Sequence, residues 1–204
     1  MPNGLPAWVE RPAAAVALTL LLVPVLLPVG LAVATTSRGP VFYRQVRVGL
    51  GGVPFVLLKF RTMREGSGGP SVTAGGDARI TAVGRFLRRS KLDELPQLVN
   101  VMRGEMAFVG PRPEVPKFVE RWPGWAAPLL TVRPGITDPT SVAWANEEAS
   151  LASQDDVETY YVETLMPHKL EASMAYLKTR TPWRDVRVLW QTAVRLIGPA
   201  AGKK

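Results

Sequence analysis

Ala13–Ala34 reads AAAVALTLLLVPVLLPVGLAVA, 22 residues without a charge. As one straight helix it would run about 33 Å, enough to cross the hydrocarbon core of a bilayer. A single transmembrane helix is the simplest reading. A cleaved signal peptide is a second, since Ala32-Val33-Ala34 mimics a small-x-small cleavage site. Against it, Glu10 beside Arg11 makes a weak charged flank and nothing downstream has a secreted character. A third reading is re-entrant. Pro24 lies at the middle and Pro28 one turn later, each deleting a helical donor and crowding the preceding turn. A break there would return the chain to the side it entered from. Arg11 before the segment and Arg38 after it give the positive-inside bias no direction. Kinked spanning helix and re-entrant helix fit the segment equally well.

The whole chain, 204 residues, is sized for one domain with a real core. Its net charge of +8 predicts an anionic partner: nucleic acid, a phospholipid surface or a phosphorylated substrate. There is no cysteine, which excludes disulfides, thiol nucleophiles and Cys-ligated zinc. His168 is the only histidine, so a Ser-His-Asp triad or a multi-His metal site would rest on one residue in a polar stretch. Carboxylate, hydroxyl and Lys/Arg chemistry remains.

Downstream of the apolar segment, Val41–Val48 and Val53–Lys59 are rich in β-branched and aromatic residues and flank Gly49-Leu50-Gly51-Gly52, which predicts a β-hairpin. From Arg38 to Arg64 the chain carries six basic residues and no acidic one, a platform for anions. Glu65–Gly76 reads as a Gly/Ser-rich loop. Asp77–Ser90 reads as an amphipathic helix with Ile80, Val83, Phe86 and Leu87 on one stripe and Arg85, Arg88 and Arg89 opposite. Ser90–Met102 holds a second helix, and Met106–Val109 a short strand ending in Gly110-Pro111-Arg112-Pro113. Asp138–Glu163 carries seven acidic residues and no basic one, the pattern of a solvated face. Tyr160–Lys178 and Pro182–Ile197 show helical periodicity, the second with Thr181 as N-cap. Its Trp183, Val186, Trp190, Val194 and Ile197 oppose Arg184, Arg187 and Arg195, which suits either a membrane interface or packing on the core. The expected fold is mixed α/β, mainly helical: a membrane helix in residues 1–37 and a catalytic domain in 38–204 continuous with it, with a small hairpin sheet and amphipathic helices.

Pro96 limits where the second helix starts, since proline is tolerated in a first turn and costly later. Asp93 then sits at or near the N-cap with Glu94 in the first turn, a pair that capping alone would account for. Its surroundings add a chemical reading. Arg88, Arg89 and Lys91 lie just upstream and Arg112 follows on a proline-stiffened turn, so a diphosphate could be neutralised beside two carboxylates. One carboxylate could attack phosphorus while the other holds Mg²⁺, a hard cation that prefers oxygen ligands. Phosphoryl transfer needs little more. No Walker-type G-x-x-x-x-G-K-[ST] occurs, and no nucleic-acid reading module is recognisable, so nucleic acid is not an expected partner.

The chain resembles the bacterial sugar transferases known as monotopic phosphoglycosyl transferases. The stretches that carry the resemblance are VFYRQVRVG (Val41–Gly49), KFRTM (Lys59–Met63), DARITAVGRFL (Asp77–Leu87), LDELPQLVN (Leu92–Asn100), GEMAFVGPRP (Gly104–Pro113) and VRPGIT (Val132–Thr137). The resemblance implies transfer of a phosphosugar from a UDP-sugar to a polyprenyl phosphate with release of UMP, the first membrane step of a bacterial glycoconjugate pathway. It implies a ping-pong mechanism in which Asp93 is the nucleophile and forms a covalent phosphosugar intermediate. Glu94, with Asp93, would bind Mg²⁺, and Lys59, Arg88 and Arg112 would contact phosphates. It also implies a re-entrant helix broken at Pro24, a place on the cytoplasmic face of the bacterial inner membrane, and two further partners to consider, downstream glycosyltransferases and a second copy of the chain.

Two departures stand out. The family breaks its helix at Ser-Pro, where this chain has Val23-Pro24. After VRPGIT many members continue with Gly and an aliphatic residue, where this chain has Asp138-Pro139-Thr140. Two rival readings stay open from the residues: direct single displacement with Asp93 and Glu94 both as metal ligands, and a non-catalytic membrane scaffold built on the basic helices.

Overall fold

The structure is a computed structural model that describes residues 4–66, 73, 76–139, 151, 154 and 156–197. Most of the Glu65–Gly76 loop and of the acidic Asp138–Glu163 stretch lies outside these residues. The apolar segment is helical and longer than its uncharged core. Helix α1 spans Ala7–Leu21, a π-turn covers Leu22–Leu26, and α2 spans Leu27–Thr36. Pro24 sits inside the π-turn, where a ring without an N–H forces wider hydrogen bonding, and helical winding continues through it.

This long helix lies against the rest of the protein at both ends. Near its start Glu10 is fully buried; it accepts from the Phe108 N–H at 2.9 Å and pairs with Arg133 at 2.6 Å. Arg11 donates to the Met102 carbonyl at 2.9 Å. Near its end the Ser37 carbonyl accepts from Arg61 at 2.6 Å, and Val33 packs on Phe60 and Leu87. The opposite face, with Val16, Leu20, Val23, Leu27 and Leu31, is exposed.

The hairpin forms as the alternation predicts. Strand β1 (Phe42–Val48) pairs antiparallel with β2 (Pro54–Phe60), Tyr43 opposite Lys59, and Phe42 stacks on Phe60. Helix α3 is shorter than predicted, Ala82–Ser90, with Thr81 capping Gly84 N–H. Ile80 is not on it but bridges to Met63, so the expected stripe divides: Leu87 is buried and Phe86 faces out. Gly84 permits this helix to lie on Thr62, whose carbonyl oxygen would be 2.0 Å from any Cβ there.

The second predicted helix is broken in two. Leu92–Glu94 forms a 3₁₀ turn and α4 covers Gln97–Arg103, with Pro96 at the N-cap. Asp93 therefore does not cap α4, and neither element has a side-chain cap. The cause is Lys91, whose left-handed φ of 57° ends α3 and turns the chain before Asp93.

Strand β3 (Ala107–Val109) pairs in parallel with β4 (Gly135–Thr137), a pairing the sequence reading missed. Gly110 and Gly135 cross so closely that a Cβ on Gly135 would sit 2.1 Å from the Gly110 nitrogen. A short helix α5 (Pro116–Val119) follows, and the main core gathers Phe118, Leu129, Tyr161, Leu165, Met166 and Leu170 around the C-terminal helices. These are α6 (Val157–Tyr160), a π-turn, α7 (Met166–Lys178) and α8 (Pro182–Ile197). Thr181 caps α8 as expected, its hydroxyl accepting from the Arg184 N–H. The core alternative for α8 is corrected: Asp185 and Val188 face inward, while Trp183, Val186, Trp190 and Val194 are exposed.

Candidate active site

Four elements that are separate in sequence meet around Glu94. Strand β2 supplies Lys59, whose ammonium donates to Glu94 Oε1 at 2.9 Å. The turn after β3 supplies Arg112, whose guanidinium reaches the same oxygen at 3.4 Å. The 3₁₀ turn supplies Asp93 and Glu94, both buried. Helix α3 carries Arg88 in its last turn, and the charges of Lys91 and Arg88 both favour the ionised Asp93. All five predicted site residues are thus gathered, and Pro24 lies apart from them in the apolar helix.

The two carboxylates are in opposite electrostatic states. Burial would raise the Glu94 carboxyl, but Lys59, Arg112 and Lys91 overcome it and hold Glu94 well below the usual carboxylate range. Burial raises the Asp93 carboxyl, and the negative charge of Glu94 adds to that, against the weaker pull of Lys59, Lys91 and Arg88. Asp93 Oδ1 is buried with no hydrogen-bond partner. A buried carboxylate oxygen without a donor is costly, and a ligand or ion that met it would relieve that cost.

Sequence reasoning passed over the residue that aligns these elements. Asn100 is fully buried on α4; its amide donates to the Val56 carbonyl at 2.8 Å and to Glu105, and its oxygen accepts from the Leu58 N–H at 3.2 Å. It pins α4 along the free edge of β2 and so brings Lys59 opposite Glu94. The available signal was a polar residue set among Leu98, Val99, Val101 and Met102.

A small cleft is lined by Pro111, Arg112, Trp122, Tyr161, Lys169 and Ser173. Among the described residues no three His, Cys, Asp or Glu side chains cluster as a metal cage. Two carboxylates side by side suit instead a hard cation that takes part of its oxygen shell from substrate phosphates, and the unpartnered Asp93 Oδ1 fits that role.

A carboxylate held ionised by cations beside one left without a donor is an arrangement that can bind and react with a phosphate group. Comparison with known proteins gives the kind: residues 7–199 match the bacterial sugar transferases, and the chain belongs to that family. It is 40% identical over 190 residues to the UDP-glucose:undecaprenyl-phosphate glucose-1-phosphate transferase of Caulobacter vibrioides, covering 90% of this chain and 67% of that protein. It is 35% identical over 181 residues to the protein of the same name from Escherichia coli K12, covering 86% and 37% respectively. It is 33% identical over 200 residues to the UDP-N-acetylgalactosamine-undecaprenyl-phosphate N-acetylgalactosaminephosphotransferase of Aeromonas hydrophila, covering 94% and 44%. The chain thus spans from about a third to two thirds of the length of such relatives.

Proposed function

We propose that this chain transfers a sugar phosphate from a UDP-sugar to a polyprenyl phosphate in two displacements through Asp93. An Asp93 oxygen attacks the sugar-linked phosphorus of the donor and the bond to UMP breaks, leaving a phosphosugar on the carboxylate. The polyprenyl phosphate oxygen then attacks the same phosphorus, forming polyprenyl-diphosphate-sugar and returning Asp93 as a carboxylate. The observation that carries this reading is the division of labour in the dyad: Glu94 is engaged by Lys59 and Arg112, while Asp93 Oδ1 has no partner. Lys59, Arg88 and Arg112 neutralise the donor's diphosphate. Asp93 and Glu94 would hold Mg²⁺, which would supply further charge neutralisation at phosphorus. The relatives' names support a UDP-sugar donor and an undecaprenyl phosphate acceptor.

The test is UMP release from UDP-glucose and UDP-N-acetylgalactosamine with polyprenyl phosphate and Mg²⁺. Asp93→Asn removes the nucleophile and should abolish turnover in a protein that still folds. Near-normal turnover in that variant overturns the mechanism. Incubation with donor alone should leave a phosphosugar adduct on Asp93; turnover without any adduct would instead favour single displacement.

The helix Ala7–Thr36 enters the cytoplasmic face of the inner membrane and returns to it. This reading is supported by the fastening of both its ends to one body and by its exposed apolar face. The chain has no cysteine, so Asn3→Cys and Ser37→Cys can be labelled singly. A membrane-impermeant thiol reagent should reach both from the cytoplasmic side of the membrane. Labelling from opposite sides means a spanning helix.

A further inference from the structure

Arg112 stands on a turn that cannot hold itself. Pro111 and Pro113 have no N–H, so the carbonyls of Gly110-Pro111-Arg112-Pro113 and its flanks depend on donors from elsewhere. Two are backbone groups: Gly135 N–H donates to the Pro111 carbonyl at 3.0 Å and Val48 N–H to the Glu114 carbonyl at 2.9 Å. The other two are arginines that reach neither carboxylate of the dyad. Arg180 donates to the Val109 carbonyl at 2.6 Å, and Arg47 donates to the Pro113 carbonyl at 3.0 Å. Each arginine is fixed from behind. Arg180 pairs with the fully buried Asp185 at 2.9 Å, and Asp185 also accepts from the Tyr176 hydroxyl. Arg47 pairs with Glu114 at 3.1 Å and donates twice to Gln45, while Glu114 accepts from the Tyr161 hydroxyl.

We propose that Arg47 and Arg180 are positioning residues for Arg112, gripping the two ends of its turn so that its guanidinium meets the donor phosphates beside Glu94. The proposal rests on the phosphate-binding role assigned to Arg112 above. Guanidinium suits these places better than ammonium, because each side chain serves a carbonyl and a second acceptor in fixed directions.

The first measurement is amide hydrogen exchange over residues 107–115 in the whole protein, which reads the turn whatever the reaction. Arg47→Gln should speed exchange there by about 10-fold or more while β2 and α4 keep their protection. Arg180→Gln is made together with Asp185→Asn, so that no lone buried charge is left to unfold the chain, and should act likewise. Uniformly faster exchange everywhere, or none, overturns the proposal.

The second measurement is a double-mutant cycle on UMP release. Arg47→Gln should lower kcat/KM for the donor by about 10²-fold, as misplacement near an angstrom does, with Arg47→Lys recovering part of it. In an Arg112→Ala background the same change should cost less than about 2-fold, since its route is already gone. Losses that multiply fully mean that Arg47 acts independently of Arg112. If the unaltered chain releases no UMP from any UDP-sugar, the reaction assignment fails, and the exchange result still decides whether the two arginines hold the turn.

Discussion

Burial lifts Asp93 above the ordinary carboxylate range and Glu94 pushes the same way. A raised folded-state value means that stability falls as pH rises through it, so ionised Asp93 costs stability at neutral pH. In metal-free protein Asp93→Asn should therefore melt higher at pH 7.5, by roughly 2–4 °C in a domain of this size. The gain should fade as the pH falls through the acid range; a lower melting point at pH 7.5 contradicts it. Glu94 has the opposite sign. Its depressed value contributes stability above the ordinary glutamate range that is lost as pH falls. Glu94→Gln strands Lys59 and should destabilise at neutral pH by about 3–5 kcal/mol, as broken buried pairs do, measured by denaturant unfolding. At this scale charge singled out Arg88, Asp93, Glu94 and Arg112, the family resemblance added Lys59, and the structure sets Lys59 and Arg112 against Glu94. What it misjudged was the geometry of Asp93. A capping role follows from Pro96 only if the helix begins before it, and the left-handed Lys91 replaces that start with a 3₁₀ turn.

The hairpin was legible because its alternation and Gly-rich turn are local signals. The β3–β4 pair was not, because three-residue strands carry no readable period and their pairing is set by the close crossing of Gly110 and Gly135. Helix α3 was placed with its start too early, since Ile80 is drawn into a bridge with Met63. Its position depends on one hydrogen atom. Gly84→Ala drives a methyl group into the Thr62 carbonyl, and should destabilise by about 1–3 kcal/mol, as overpacking does, or more if the helix cannot lift. Because α3 carries Arg88, the same change should lower donor turnover; normal melting with normal turnover would show that α3 does not need this approach.

For the molecule as a whole, net charge and the apolar segment pointed to a membrane and an anion, but not to which faces are turned outward. Trp183 and Trp190 are largely exposed on α8 and Trp8 on α1, and the Leu5 N–H just before α1 donates to Asp185 of α8. Trp122 has its indole nitrogen buried. In vesicles of brominated phospholipid, Trp183→Phe and Trp190→Phe should each remove a share of the quenchable fluorescence, and Trp122→Phe very little. Equal losses from all three would place α8 away from the bilayer. The bonds from Leu5 to Asp185 and from Glu10 to Arg133 also set a timetable for biosynthesis. They span 180 and 123 residues, so the helix leaves the ribosome well before either partner exists. At about 5–20 residues per second the wait for Asp185 is roughly 10–40 s. Throughout that interval the helix is without both partners, and the Glu10 carboxylate is without the guanidinium that pairs with it in the folded chain.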